Sequence, residues 1–370
     1  MRKILKKMAL SASICAIAAT GTIPVLAAEG VATQTITQKK QPSIKGKAGI
    51  IMDAKSGKIL YAKKIDDRHY PASITKILTT LVAIENNKDL YGGVTFSSHA
   101  VNSLEHGSTH IGIKAGEKMP LIDVLHGIML ESANEACNGA AEYTAGSEEK
   151  FVDLMNKKAQ ELGCTNSHFV TTNGLHNDQH YVTARDMAKI SQAALKNSTF
   201  RLITEKANYY IPKTNKDKKG RSLWNHHKMI KRTRYIYDGV EGGKTGYTTK
   251  AGGTLVTFAK RGDQELICVD LCAHGAELYE DTIKMFDYAF QNYYTIVPFR
   301  GIERTLKDDK YGILSVGNRV SPYTLPLKHL EDITIMLEKD EQPSNLSYRC
   351  NGKYFYVSYN KKQIGKATFH

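Results

Sequence analysis

Several kinds of chemistry are excluded by what the chain lacks. Its six cysteines include no C-x-x-C pair. Cys15 falls in an N-terminal segment read below as a leader. The remaining Cys137, Cys164, Cys268, Cys272 and Cys350 are odd in number and flanked by small or apolar residues, so no disulfide framework is implied and buried small hydrophobes are expected. There is no H-E-x-x-H motif. His176-Asn177-Asp178-Gln179-His180 lies in a turn-like setting without a third ligand at a familiar spacing, so neither a metal nor any other cofactor is expected. Zinc-finger spacing and aromatic-basic ribonucleoprotein motifs are also missing, which argues against nucleic acid. After the leader no run approaches the roughly 20 apolar residues of a spanning helix. Acidic residues are outnumbered, 37 against 51 basic, for a formal net charge of +14.

That charge is placed unevenly. Arg2, Lys3, Lys6 and Lys7 precede the apolar run from Met8 to Ala19, and Val25-Leu26-Ala27 offers a small-residue cut before Ala28. Residues 1–27 therefore read as a secretory signal peptide. Cleavage removes four basic and no acidic residues, leaving +10. A basic protein outside the cytoplasm meets anionic polymers and lipid headgroups, so peripheral membrane association is the most that is expected. The runs Lys213–Arg221 and His226–Arg234 read as solvated loop faces. Ala367-Thr368-Phe369-His370 reads as strand rather than as an amphipathic membrane helix, so no C-terminal anchor is expected.

Residues 28–45 are rich in Thr, Gln and Lys and read as a flexible lead-in. Order begins near Ala48 with a hairpin, Gly49–Met52 and Lys58–Tyr61 around a turn-rich Asp53–Gly57. A mostly helical stretch spans about 121–196. In it Ser147 caps a helix that Gly163 ends, and Thr183 with Asp186 resembles a capping box opening Ala184–Leu195. A second hairpin, Thr254–Ala259 and Glu265–Asp270, turns through Gly262, and a last helix runs from Leu278 to about Tyr293. The fold class expected for 46–294 is α/β of the α+β kind, with a mainly antiparallel sheet and a helical portion. Residues 297–370, with alternating runs such as Asp332–Leu337 and Lys353–Tyr359 after the Asn351-Gly352 turn, read as a small all-β domain.

The chemistry begins at Tyr70-Pro71-Ala72-Ser73-Ile74-Thr75-Lys76. Ile74, Ile77, Leu78, Leu81 and Val82 recur at helical spacing. If Ser73 opens this helix, Lys76 lies one turn above it on the same face. A serine hydroxyl needs an adjacent base, and lysine can serve once burial or nearby positive charge lowers its pKa. Such a pair is common by chance. Two further motifs change its weight: Ser132-Ala133-Asn134, at the junction of a helix ending near Leu130 with one starting near Ala133, and Lys244-Thr245-Gly246, before the second hairpin.

S-x-x-K, S-x-N and K-T-G, in that order and widely separated, form the signature shared by penicillin-binding proteins and class A β-lactamases. The chain resembles the serine D-alanyl-D-alanine carboxypeptidases, the low-molecular-mass penicillin-binding proteins, over nearly the whole mature sequence. The resemblance implies a penicillin-binding, serine β-lactamase-like domain followed by a small β domain. It implies Ser73 as nucleophile, Lys76 as its base and Ser132 as the relay to the leaving amine. Asn134 would hold the substrate's amide or side-chain groups, Lys244 and Thr245 its terminal carboxylate, and Gly246 would let its backbone approach. The N–H groups of Ser73 and Tyr247 would form the oxyanion hole. Implied partners are peptidoglycan stem peptides ending in D-Ala-D-Ala and β-lactam antibiotics. Two alternatives compete. A β-lactamase of class A needs an E-x-x-L-N glutamate, which is missing; a non-catalytic cell-wall peptide or β-lactam-binding protein has no need of nucleophile and base together.

Overall fold

The computed structural model describes residues 40–105, 107–230, 233–298, 315–316, 334–351 and 354–368. The expected leader and the lead-in as far as residue 39 lie outside the described residues, as do Asp332, Ile333, Gly352 and Lys353 of the expected β region.

Strands β1 (Ala48–Asp53) and β2 (Ile59–Lys63) form the first hairpin, with Ile51 opposite Tyr61. A 3-10 turn, Ala72–Thr75, leads into helix α1 (Lys76–Asn86). Strand β3 (Gly93–Thr95), helix α2 (Ser98–Asn102) and strand β4 (Lys118–Pro120) follow. The helical portion comprises α3 (Leu121–Leu130), α4 (Asn134–Ala145), α5 (Glu148–Glu161), α6 (Ala184–Leu195) and α7 (Ser198–Thr204). A small hairpin, β5 (Asn208–Ile211) and β6 (Arg221–Trp224), precedes the long strands β7 (Val240–Thr248), β8 (Gly252–Arg261) and β9 (Gln264–Ala273) and helix α8 (Glu277–Asn292).

The main sheet is antiparallel throughout, in the order β2-β1-β9-β8-β7. The first hairpin therefore docks on the β8–β9 hairpin, Ile50 opposite Val269, and β7 is left at one edge of the sheet with β2 at the other. Gly262, at φ 59°, turns β8 into β9. Apolar sheet residues such as Ile50, Val256, Phe258 and Val269 share one core with Ile77 and Leu81 of α1 and Ala136 and Ala140 of α4. Each fully buried Ile, Leu or Phe contributes roughly 1.5–3 kcal/mol. Helix α1 is buried on every side from Lys76 to Ile84, so the apolar stripe understates its burial: Thr79 and Thr80 are interior as well.

The caps repay inspection. Ser147 accepts from Lys150 N at 3.3 Å and Thr183 from Asp186 N at 3.1 Å. The box at Thr183 is only half formed, because the Asp186 carboxylate accepts from Asn166 N and Ser167 Oγ.

The chain divides into two compact units. One is formed by Pro42–Ala54 with Ile59–Tyr288, the other by residues 40–41 and Lys55–Lys58 with the described residues from Ala289 onward. In the second, β10 (Tyr293–Ile296) pairs with β12 (Ile335–Glu338), while β11 (Ser315–Val316), β15 (Lys362–Thr368), β14 (Tyr354–Tyr359) and β13 (Leu346–Asn351) form an antiparallel sheet in that order.

Candidate active site

Ser73 does not open the α-helix; it lies in the 3-10 turn before it, and Lys76 is the first α-helical residue. A 3-10 turn eclipses residues three apart, which sets the lysine directly over the serine, whereas the periodicity of apolar residues cannot tell the two helix types apart. Ala72, immediately before Ser73, has φ 51°, a conformation costly for a residue with a Cβ and held here by its surroundings. Gly174 is one of them. At φ 85°, it packs so closely that a Cβ there would lie 2.0 Å from Ala72 O.

Lys76 is fully buried and its Nζ meets three oxygens: Ser73 Oγ at 3.0 Å, Asn134 Oδ1 at 2.7 Å and Asn173 O at 2.6 Å. Burial lowers its pKa to about 8, against the opposing pull of Cys137 and Glu135. Two of the three oxygens are amide carbonyls, which accept only. In the neutral amine its two N–H groups therefore go to Asn134 and Asn173, and the lone pair faces the Ser73 hydroxyl. The walls are tied down in turn: Asn138 Oδ1 accepts from Thr172 Oγ1 at 2.7 Å and from Asn173 Nδ2 at 3.3 Å. His180 Nδ1 faces the N–H groups of Val170 and Thr171, so Nε2 carries the proton toward Thr75 Oγ1, at 3.1 Å. Burial pushes His180 down to about 3, and both its ring nitrogens are engaged.

The junction between α3 and α4 carries the second motif. Ser132 is buried with φ 62°, and Asn134 is the first residue of α4. The Asn134 N–H donates to Thr109 O at 3.0 Å. Glu135, also buried, accepts from Ile111 N at 2.7 Å, so the 109–113 segment is strapped across the start of α4.

The third motif lies on edge strand β7. Lys244 is buried, and its Nζ donates to Thr245 O at 2.9 Å. Burial, then the charge of Lys76, lowers its pKa to about 7. Thr245 and Gly246 follow, partly exposed, and Tyr247 is exposed. A Cβ on Gly246 would lie 2.8 Å from Ser73 N and 2.4 Å from Thr254 Oγ1, so the glycine is what allows this strand to lie against the turn that carries Ser73. Thr254 Oγ1 reaches across to Pro71 O at 2.8 Å and fastens the sheet to that turn.

The structure thus joins Ser73, Lys76 and Asn134 by hydrogen bonds, places Ser132 two residues from Asn134, and brings Gly246 against Ser73 with Lys244, Thr245 and Tyr247 on the same strand. The expectation of solvated basic loops fails at two residues. Arg221 is pinned by Glu117 at 2.7 Å and 2.9 Å and holds Ile111 O at 3.0 Å. His227 is buried behind β7 with Nε2 toward Thr257 Oγ1 at 2.9 Å. Asn138, Thr172, Asn173, Glu135 and His180 are site residues that motif reading did not find. The Thr171-Thr172-Asn173-Gly174 run, with its glycine, is the one trace they leave. Cys137, Cys164 and Cys268 are free and buried, and Cys272 is free and half-buried.

A family profile for D-alanyl-D-alanine carboxypeptidases, peptidase family S11, matches residues 35–275. The chain is similar to the D-alanyl-D-alanine carboxypeptidase DacF of Bacillus subtilis, at 38% identity over 67% of this chain and 63% of that protein, so it spans somewhat less than two thirds of this relative. It is 31% identical to DacC of Escherichia coli over 87% of this chain and 84% of that one. The crystal structure of the Streptomyces K15 DD-transpeptidase superposes with a TM-score of 0.64 at 28% identity, covering 68% of this chain and 99% of that one. With these matches the three motifs and the antiparallel sheet and helices that carry them have one common explanation: the chain belongs to the serine D-alanyl-D-alanine carboxypeptidase family, with the fold of the penicillin-binding proteins.

Proposed function

We propose that the protein removes the terminal D-alanine from peptidoglycan stem peptides through an acyl-enzyme on Ser73, and that β-lactams acylate the same hydroxyl. The observation that carries this reading is the Lys76 amine held by Asn134 and Asn173 with its lone pair toward Ser73. Neutral Lys76 takes the Ser73 proton as Oγ attacks the penultimate D-alanine carbonyl. The developing oxyanion is met by the N–H groups of Ser73 and Tyr247, each such donor being worth a few kcal/mol. Ser132 passes the proton to the departing amine, the C–N bond breaks and D-alanine leaves. Water then attacks the ester, the shortened peptide departs and the Ser73 proton is restored.

Binding falls to β7. Lys244 and the Thr245 hydroxyl meet the terminal carboxylate, because a substrate ending in a free carboxylate needs a fixed cation beyond the scissile bond. Gly246 lets the substrate backbone run along the strand, and Asn134 holds its amide.

For location we propose export by the leader at residues 1–27 and work at the cell envelope, with membrane contact limited to attraction of the basic surface for anionic headgroups. Among the described residues no helix is long and apolar enough to cross a membrane. Release of free D-alanine from a peptide ending in D-Ala-D-Ala, with Ser73→Ala as control, tests the activity. Equal release by that variant, or none by the wild type, contradicts it.

A further inference from the structure

Beside the nucleophile's turn lies a cavity of about 480 Å³ that the chemistry above does not use. One wall is the approach to that turn, Arg68, His69 and Tyr70; the other comprises the β7–β8 turn at Lys250 and Ala251, Cys272 near the end of β9, and Lys47 before β1. It is strongly basic. Asp178 is its one acidic lining residue and meets His176 at 3.2 Å and the Tyr70 hydroxyl at 3.2 Å; of the carboxylates nearby, Asp66 pairs with Arg185 at 2.6 Å and Asp67 acts on His69. Among the described residues Lys47, Arg68 and Lys250 form no ion pair. The Arg68 guanidinium is steadied over the Tyr181 ring, 4.3 Å from its centroid. His69 Nε2 is buried with no hydrogen-bond partner.

Position gives this cluster a meaning, on the carboxypeptidase reading proposed above. A substrate whose C-terminal carboxylate lies at Lys244 and whose backbone runs antiparallel to the free edge of β7 sends its upstream residues toward Thr248 and the turn at Lys250. With the scissile carbonyl at the Tyr247 N–H, Lys250 lies three residues further along the chain, at about 3.3 Å per strand step, so the residues just upstream of the penultimate one run toward the cavity. We propose that the cavity is a subsite for a carboxylate on the acyl-donor peptide upstream of the scissile bond, with Lys47, Arg68 and Lys250 as its specificity residues. They never touch the reacting atoms, so their effect belongs in KM rather than in kcat.

The test uses pentapeptides ending in D-Ala-D-Ala in which an upstream glutamate is exchanged for glutamine. The wild type should favour the glutamate peptide about fivefold in kcat/KM, carried by KM, the upper range for a partly exposed charge pair. High salt should shrink that preference. It should vanish in the Lys47→Ala, Arg68→Ala, Lys250→Ala triple variant and reverse in Lys250→Glu. Penicillin acylation and D-alanine release from a blocked D-Ala-D-Ala dipeptide, both too short to reach the cavity, should keep wild-type values in these variants. Equal handling of the two pentapeptides by the wild type, or an undiminished preference in the triple variant, overturns the subsite while leaving the carboxypeptidase reading intact. Equal handling together with binding of a glycerol-phosphate polymer through the same three cations assigns the cavity to a polyanion instead, and also overturns it. No D-alanine release from any peptide overturns both.

Discussion

Lys76 and Lys244 are both stripped of water, and burial is the largest cause of the lowered pKa in each. Their partners differ. Lys76 Nζ is enclosed by Ser73 Oγ, Asn134 Oδ1 and Asn173 O, whereas Lys244 Nζ has, among the described residues, its neighbour's carbonyl, Thr245 O. An amine whose hydrogens are directed by fixed carbonyls has a defined lone pair and is suited to take a proton from the serine. An ammonium with donors to spare at an open strand edge is suited to an anion from outside. Burial lowers both pKa values; the surrounding acceptors suit one lysine to the proposed role of base and the other to that of receptor.

The largest effects should come from the Lys76 side. Lys76→Ala should slow penicillin acylation roughly 10²–10⁴-fold, the usual contribution of a positioned base. Lys76→Arg should do no better, because a guanidinium does not give up its proton near neutrality. Stopped-flow acylation with circular dichroism as the folding control decides this, and a rate near wild type in the arginine variant would break the assignment of the base.

On the Lys244 side, Lys244→Ala should lower kcat/KM on peptides with a free terminal carboxylate by roughly 10- to 100-fold, the scale of a hydrogen bond to a charged group. Wild type and variant should converge on the C-terminally amidated peptide. An equal loss on both peptides would move Lys244 out of the carboxylate role.

The pH profile tests both lysines together. On the proposed mechanism Lys76 must be neutral, so the rate rises with pH through about 8, and Lys244 must be charged, so it falls as pH climbs past about 7. Because Lys244 gives up its proton at lower pH than Lys76, the required arrangement is the less populated of the two singly protonated ones, so the bell is low as well as narrow. A bell peaking between these values is expected. Lys244→Arg, always charged, should keep the rising limb and lose the falling one. An unchanged falling limb would assign it to another group.

The smallest effect is structural. Gly174→Ala should destabilise by more than about 1 kcal/mol, since the glycine has φ 85° and a Cβ would press on Ala72 O. Thermal unfolding measures it. An unchanged midpoint would mean that the Ala72 turn does not depend on Gly174.

The difference between the lysines also marks how far the sequence could be read. The three motifs were legible because local spacing puts Ser73 near Lys76 and because Lys244-Thr245-Gly246 sits beside a recognisable hairpin. What makes Lys76 a directed base was not. Asn173 acts through its backbone carbonyl, which any residue supplies, and Asn138, Thr172 and His180 matter only once distant segments meet. The strands were legible from alternation and turns, but the docking of β1 on β9 was not, since pairing of distant strands leaves no local pattern. Arg221 and His227 look like loop residues until Glu117 and Thr257 are brought to them.

Mass spectrometry of the intact protein over time after a single addition of benzylpenicillin, with peptide mapping, tests the central claim most directly. On the proposed mechanism Ser73 opens the ring, the lactam's leaving amine stays tethered and obstructs the approach of water, and no E-x-x-L-N glutamate is present to drive hydrolysis. A one-to-one adduct is expected on the peptide containing Ser73, far outlasting the acyl group from a D-Ala-D-Ala peptide and missing in Ser73→Ala. Rapid return to the unmodified mass with many turnovers of penicillin would point to a β-lactamase, no adduct at all would point to a binding protein, and either result would overturn the carboxypeptidase reading.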